Sequence, residues 1–145
     1  MITPRLPRRV VAALSIAAAL AACHPDNSIL LPGDHLAFGE WGGDHAYMVA
    51  SGSATNVSLG CSFGQFPGNL PLDGNGRFSV NGTWNLSIGP IRLDGNMPAQ
   101  FSGQVTGDVL TFAVAVNDTI AKQVSSLGPA TVVFGKQGTG TICPA

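Results

Sequence analysis

Gln100-Phe101-Ser102-Gly103-Gln104-Val105-Thr106-Gly107-Asp108-Val109-Leu110-Thr111-Phe112-Ala113-Val114-Ala115-Val116 is the stretch that decides the fold. In its second half Leu110, Phe112, Val114 and Val116 alternate with Val109, Thr111, Ala113 and Ala115. A period of two places the large apolar groups on one face of a strand and the small ones on the other, where they can pack beneath something. Gly107-Asp108 interrupts the pattern with a two-residue loop of the kind that suits right-twisted strands. The stretch therefore predicts a hairpin of Gln100–Thr106 with Val109–Val116.

Outward from this hairpin, short alternating segments are separated by Gly, Asn, Asp and Pro, with charge confined to 10% of residues. Phe38–Trp41 reads as a first strand, and His45–Ser51 and Thr55–Cys61 as a hairpin across Gly52-Ser53-Ala54. Val57, Leu59 and Cys61 share a face opposite Asn56 and Ser58, which points the cysteine inward. Asp73-Gly74-Asn75-Gly76 is a turn into Arg77–Trp84, with Phe78 and Val80 facing in. Asn117–Leu127 is assigned a helical turn or two against the weak propensity of Val124 and its serines. Thr131–Phe134 returns as a strand, and Ile142-Cys143 ties the end to the third strand. Sequence neighbours pairing antiparallel give an all-β meander of about 7–8 strands, closed as a small barrel or folded as a sandwich. Phe63, Phe66, Phe78, Phe101, Phe112 and Phe134 are enough large groups to fill such a core.

The first residues have a different character. Arg5, Arg8 and Arg9 precede an apolar run from Val10 to Ala22 broken only by Ser15. A membrane-spanning helix needs about 20 apolar residues, whereas the hydrophobic region of an export signal needs about 7–15. Leu20-Ala21-Ala22-Cys23 then resembles the lipobox of bacterial lipoproteins. That resemblance implies a cleaved signal peptide over residues 1–22, a diacylglycerol on the Cys23 thiol and an acylated new amino terminus. Two or more acyl chains give stable membrane attachment where one gives marginal binding. Residues 23–36, with two prolines, Gly33 and polar residues around Ile29-Leu30-Leu31, read as a tether, leaving residues 37–145 as one β-domain. The implied location is the bacterial cell envelope. By the same lipoprotein resemblance, His24 in place of Asp implies release toward the periplasmic face of the outer membrane in a two-membraned host.

Loss of the signal removes three of seven basic residues, so the processed chain holds four basic against eight acidic residues, a net charge of −4. Nucleic-acid binding, which needs clustered Lys and Arg, is excluded on this balance. With Cys23 committed to lipid, Cys61 and Cys143 remain as a pair in an oxidising compartment, and one disulfide is expected. It would close a loop of about 82 residues, for which chain entropy gives on the order of 4–5 kcal/mol.

The candidate chemistry is concentrated in Trp41-Gly42-Gly43-Asp44-His45, where paired glycines permit a tight or bulged backbone beside an aromatic, a carboxylate and an imidazole. Trp41, Asp44 and His45 are accordingly the binding residues the sequence offers. Together with the inward Cys61 and the C-terminal Cys143, this stretch resembles a family of small uncharacterised exported bacterial β-domains, over Phe38 to Cys143, with no activity to carry over. The favoured reading, ahead of that binding role, makes Trp41 a core cap and His45 a structural backbone partner at the barrel rim. Because Asp44 and His45 are consecutive, a regular strand would point them to opposite faces.

His35, Glu40, Asp44 and His45 match no compact metal motif, so no metal and no cofactor are expected. Asp73-Gly74-Asn75-Gly76 lacks the closing acidic ligand of a calcium loop. The bare G-x-S-x-G spacing occurs once, as Gly60-Cys61-Ser62-Phe63-Gly64, but no helical pattern follows it as a nucleophile elbow requires; H-E-x-x-H is absent, and Glu40 is the only glutamate for two-carboxylate catalysis. The expected function is a lipid-anchored, non-catalytic structural or protein-binding domain with an envelope protein as partner, a hydrolase inhibitor included. The alternative is a carrier holding a small apolar ligand inside a barrel, with an enzyme third. A filled interior would decide against the carrier.

Overall fold

The computed structural model describes residues 35–88, 91–92 and 95–139, with only the backbone described at 87, 88, 91 and 92. The lipobox with Cys23, the signal and tether up to residue 34, and Cys143 with Ile142 lie outside the described residues.

The central hairpin forms as its alternation demands. Strand β8 (Met97–Thr106) pairs with β9 (Val109–Asp118) from Thr106↔Val109 to Ala99↔Val116, around Gly107 at φ 63°. Leu110, Phe112, Val114 and Val116 are all buried at 1% exposure or less. On either side the meander continues through β1 (Gly39–Gly42), β2 (Ala46–Ala50), β3 (Ala54–Leu59), β4 (Ser62–Pro67), β5 (Arg77–Asn85) and β10 (Gln123–Phe134). These strands close a barrel in the order β1-β10-β9-β8-β5-β4-β3-β2, every pair antiparallel. Between β5 and β8 the chain makes a separate two-stranded excursion, β6 (Ser87–Ile88) with β7 (Ile91–Arg92). The fold is thus all-β and a closed eight-stranded barrel, and no helix occurs among the described residues.

Eight strands enclose a space about wide enough for side chains to fill. Trp41, Trp84, Phe66, Phe78, Phe101 and Phe112 do so. Phe101 is the hub, with ring centroids 4.8 Å from Phe66, 4.9 Å from Phe78 and 5.1 Å from Phe112. Gly64 on β4 provides the room for Trp84, whose ring would lie 2.2 Å from a Cβ at that position.

Four readings of the sequence need correction. Phe63 is not in the core: it lies on the outward face of β4, 54% exposed, while Phe66 of the same strand points in. Cys61 is not an inward strand residue but stands, half-buried, in the β3–β4 turn behind Gly60. The helical turns over Asn117–Leu127 do not form. Asp118 Oδ1 instead accepts the Ile120 and Ala121 amides at 2.9 and 2.8 Å, making a tight turn from which β10 starts directly. Finally, the domain begins before residue 37: Leu36 is 1% exposed, its amide donates to Leu70 O at 2.8 Å, and His35 bridges Pro71.

Alternating strand direction sorts the connections between two ends. Residues 35–38, the β2–β3 turn and the β4–β5 connection share one end, where Leu36 and Leu70 enter the core. The turns at 43–45, 60–61 and 119–122, with the β6–β7 excursion, share the other.

Candidate functional site

The Trp41–His45 stretch separates into a core residue and a rim pair. Trp41 is fully buried, donates from Nε1 to Ala37 O at 3.2 Å and meets Phe134 edge-on at 5.1 Å. It is therefore unavailable as a surface binding residue. Gly42 and Gly43 follow because backbone crosses them closely. After Gly135 the chain folds back over β1, so a Cβ on Gly42 would lie 2.2 Å from Lys136 O, while one on Gly43 would lie 2.0 Å from Thr131 O of the neighbouring strand β10. The glycine pair thus serves close backbone approach at the seam of the barrel.

Asp44 and His45 lie at the rim with side chains 86% and 61% exposed. The strand is not regular here: His45 adopts φ 53°, and this left-handed residue brings Nε2 to 3.6 Å from Asp44 Oδ1, where opposite faces were expected. Thr139 completes the cluster. Its amide donates to Gly43 O at 3.0 Å, and its hydroxyl lies 3.3 Å from that carbonyl and 3.1 Å from Asp44 Oδ1, one proton shared between two acceptors. The His45 amide donates to Thr139 Oγ1 at 3.3 Å, and the His45 carbonyl accepts the Gly60 amide at 2.8 Å. Nothing in the sequence pattern marks Thr139, which reaches the site only through the folded-back C-terminal segment. The carboxylate and the imidazole both stand largely in solvent, where water is not excluded from them.

The other titratable candidates are dispersed. His35 stacks on Phe38 at 5.0 Å and 13°, at the opposite end from Asp44 and His45. Glu40 sits on β1 beside Tyr47, whose phenol is raised above its ordinary value by desolvation and by hydrogen bonding to the Glu40 carboxylate. Among the described residues no three His, Cys, Asp or Glu side chains gather as a metal site. Asp73 spends its carboxylate on the turn, accepting the Asn75 and Arg77 amides at 2.8 Å each through Oδ1. Those backbone bonds, Arg77 first, hold its pKa below the usual value.

A second surface was missed because β4 was not read as a strand. The register places two rows of outward side chains across β3, β4 and β5: Ser58, Phe63 and Asn85 in one, Asn56, Gln65 and Thr83 in the next. Five of these residues, with Asn96, line a cavity of about 370 Å³ on the outer wall with Gly64 in its floor. Strands β2, β3, β4, β8 and β10 carry no charged residue. Compared with known protein families, curated proteins and solved structures, the chain finds no match.

Proposed function

We propose that this chain is a lipid-anchored protein of the bacterial cell envelope, held through Cys23, whose β-domain is non-catalytic and acts through its outer surface in a structural or protein-binding role. A hydrolase inhibitor presenting the rim loops is one form of that role. The observation that carries this reading is the occupied interior: Phe101, at 0% exposure, joins Phe66, Phe78 and Phe112 into one aromatic column where a carrier would keep space for its ligand. The exposure of Asp44 and His45 argues in the same direction against catalysis.

Cys61 and Cys143 form the proposed disulfide. Gly60, next to Cys61, is bonded to His45, and Thr139 is bonded to Gly43 and His45 at the same rim.

Native mass spectrometry of the detergent-extracted protein tests the central reading. A mass equal to the processed chain, its lipid and one lost pair of hydrogens is expected. A stoichiometric apolar ligand would reinstate the carrier, and two alkylatable thiols would remove the disulfide. Globomycin should cause the uncut precursor to accumulate, and Cys23→Ser should abolish acyl labelling; unchanged processing in both would end the anchor assignment.

A further inference from the structure

We infer that the outer face of β3, β4 and β5 is a binding site for a neutral carbohydrate chain, a role that rests on the reading of an envelope domain acting through its exterior. The site is an ordered array. On adjacent strands Ser58 stands opposite Phe63 and Phe63 opposite Asn85; two residues along, Asn56 stands opposite Gln65 and Gln65 opposite Thr83. Strand spacing and rise give this array a footprint of roughly 10 Å by 7 Å. Asn96, from the segment entering β8, lines the same cavity of about 370 Å³.

Its chemistry selects the ligand class. The amides of Asn56, Gln65 and Asn96 and the hydroxyls of Ser58 and Thr83 each both donate and accept hydrogen bonds. Sugar hydroxyls and acetamido groups have the same dual capacity. Within the array one side-chain pair is bonded, Gln65 Nε2 to Asn56 Oδ1 at 3.4 Å, a long contact that a ligand hydroxyl can replace at small cost. At the centre Phe63 exposes 54% of its surface. An aromatic face among polar side chains suits the C–H face of a pyranose ring, which is apolar while its rim is hydroxylated. No charged residue stands on β3 or β4, and the only one on β5 is Arg77 at its far end. Among the described residues lining the cavity an ionic ligand would find no counter-charge. The row continues onto β2, where Tyr47 stands opposite Ser58, so a second aromatic flanks the array at its edge.

For a lipid-anchored domain such a site would join the membrane to a glycan of the envelope. Its position also explains Phe63, the one large aromatic that the barrel turns outward on this wall. Because Phe63 and Gln65 are solvent-facing, both can be replaced without touching the core.

The test is titration of the isotope-labelled full-length protein in detergent with chitotetraose and, separately, cellotetraose, read by amide chemical shifts. Expected are shifts at Asn56, Phe63, Gln65 and Thr83 with millimolar or tighter affinity for at least one saccharide, weakened about tenfold by Phe63→Ala and several-fold by Gln65→Ala. Ser79→Ala, on the same wall outside the array, should leave affinity unchanged. Preference for chitotetraose would show that the acetamido group is read, and equal binding that the hydroxylated ring suffices. No shift with either saccharide, or shifts unaffected by both groove variants, overturns the glycan site. Such a failure leaves the exterior-acting reading standing, since that falls only with a ligand inside the barrel.

Discussion

Phe101 and Phe66 stack at 4.8 Å and 25° although β5 separates their strands, so the contact is made through the barrel interior and not along its wall. Such a contact ties two non-adjacent strands into one cooperative core. Phe101→Ala should therefore cost about 3–5 kcal/mol by urea denaturation, the range for deleting a buried aromatic. Phe63→Ala, on the outer face, should fall within about 0.5 kcal/mol of the parent. Equal losses at both positions would mean that the interior is not packed as described.

These two phenylalanines also mark where the sequence is legible and where it is not. Leu110 to Val116 could be read because every inward position is large and apolar and Gly107-Asp108 fixes the register. On β4 the inward positions are Ser62, Gly64 and Phe66, since Trp84 from the neighbouring strand fills the space above Gly64. The apolar alternation that announces a strand is therefore missing, and with it went the outward array around Phe63. The first half of β10 inverts the pattern, with Val124 outward at 71% exposure and Ser125 less exposed. A bulge between Leu127 and Ala130 then shifts its register. The rim pair was half legible: its residues were found, but the left-handed His45 that brings them together follows from the turn's closure and the fold-back of Thr139.

The seam that closes the barrel should be sensitive at Gly42. A Cβ there meets Lys136 O at 2.2 Å and the Gln137 carbonyl carbon at 2.3 Å, both backbone, so the segment must lift. Gly42→Ala is expected to cost about 1–3 kcal/mol. Hydrogen exchange at the Thr139 amide, which donates to Gly43 O, should accelerate. Gly74→Ala, with nothing within 4 Å of its added methyl, is the matched control. Unchanged protection at Thr139 in Gly42→Ala would refute the close crossing.

Asp73 gives the turn before β5 a pH dependence of defined sign. The ionised carboxylate accepts the Arg77 and Asn75 amides, which lowers its folded-state pKa below the ordinary 3.8. A depressed pKa contributes stability that is present above the unfolded value and lost as pH falls through the folded one. Asp73→Asn keeps an acceptor oxygen but cannot titrate. The melting temperature of the parent should therefore exceed that of Asp73→Asn at neutral pH, with the gap shrinking as the pH drops below 3.8. A gap that stays constant through that range would detach the turn from the carboxylate's charge.

His45 tests whether the rim needs an imidazole or only a backbone shape. Its amide and carbonyl hold Thr139 and Gly60, and its φ of 53° lies where glycine is at ease, asparagine and histidine are tolerated and β-branched residues are strained. The side chain meets Asp44 at 3.6 Å with both groups largely in solvent, a pair that contributes about 0–1 kcal/mol and only when the imidazole is protonated. His45→Gly and His45→Asn should accordingly stay close to the parent in stability at neutral pH, whereas His45→Val should lose on the order of 1–2 kcal/mol. Chemical denaturation of the three variants decides the matter. If Gly and Asn are as damaging as Val, the imidazole itself holds the rim together and the backbone argument fails; if Val alone is damaging, the left-handed turn is what this position requires.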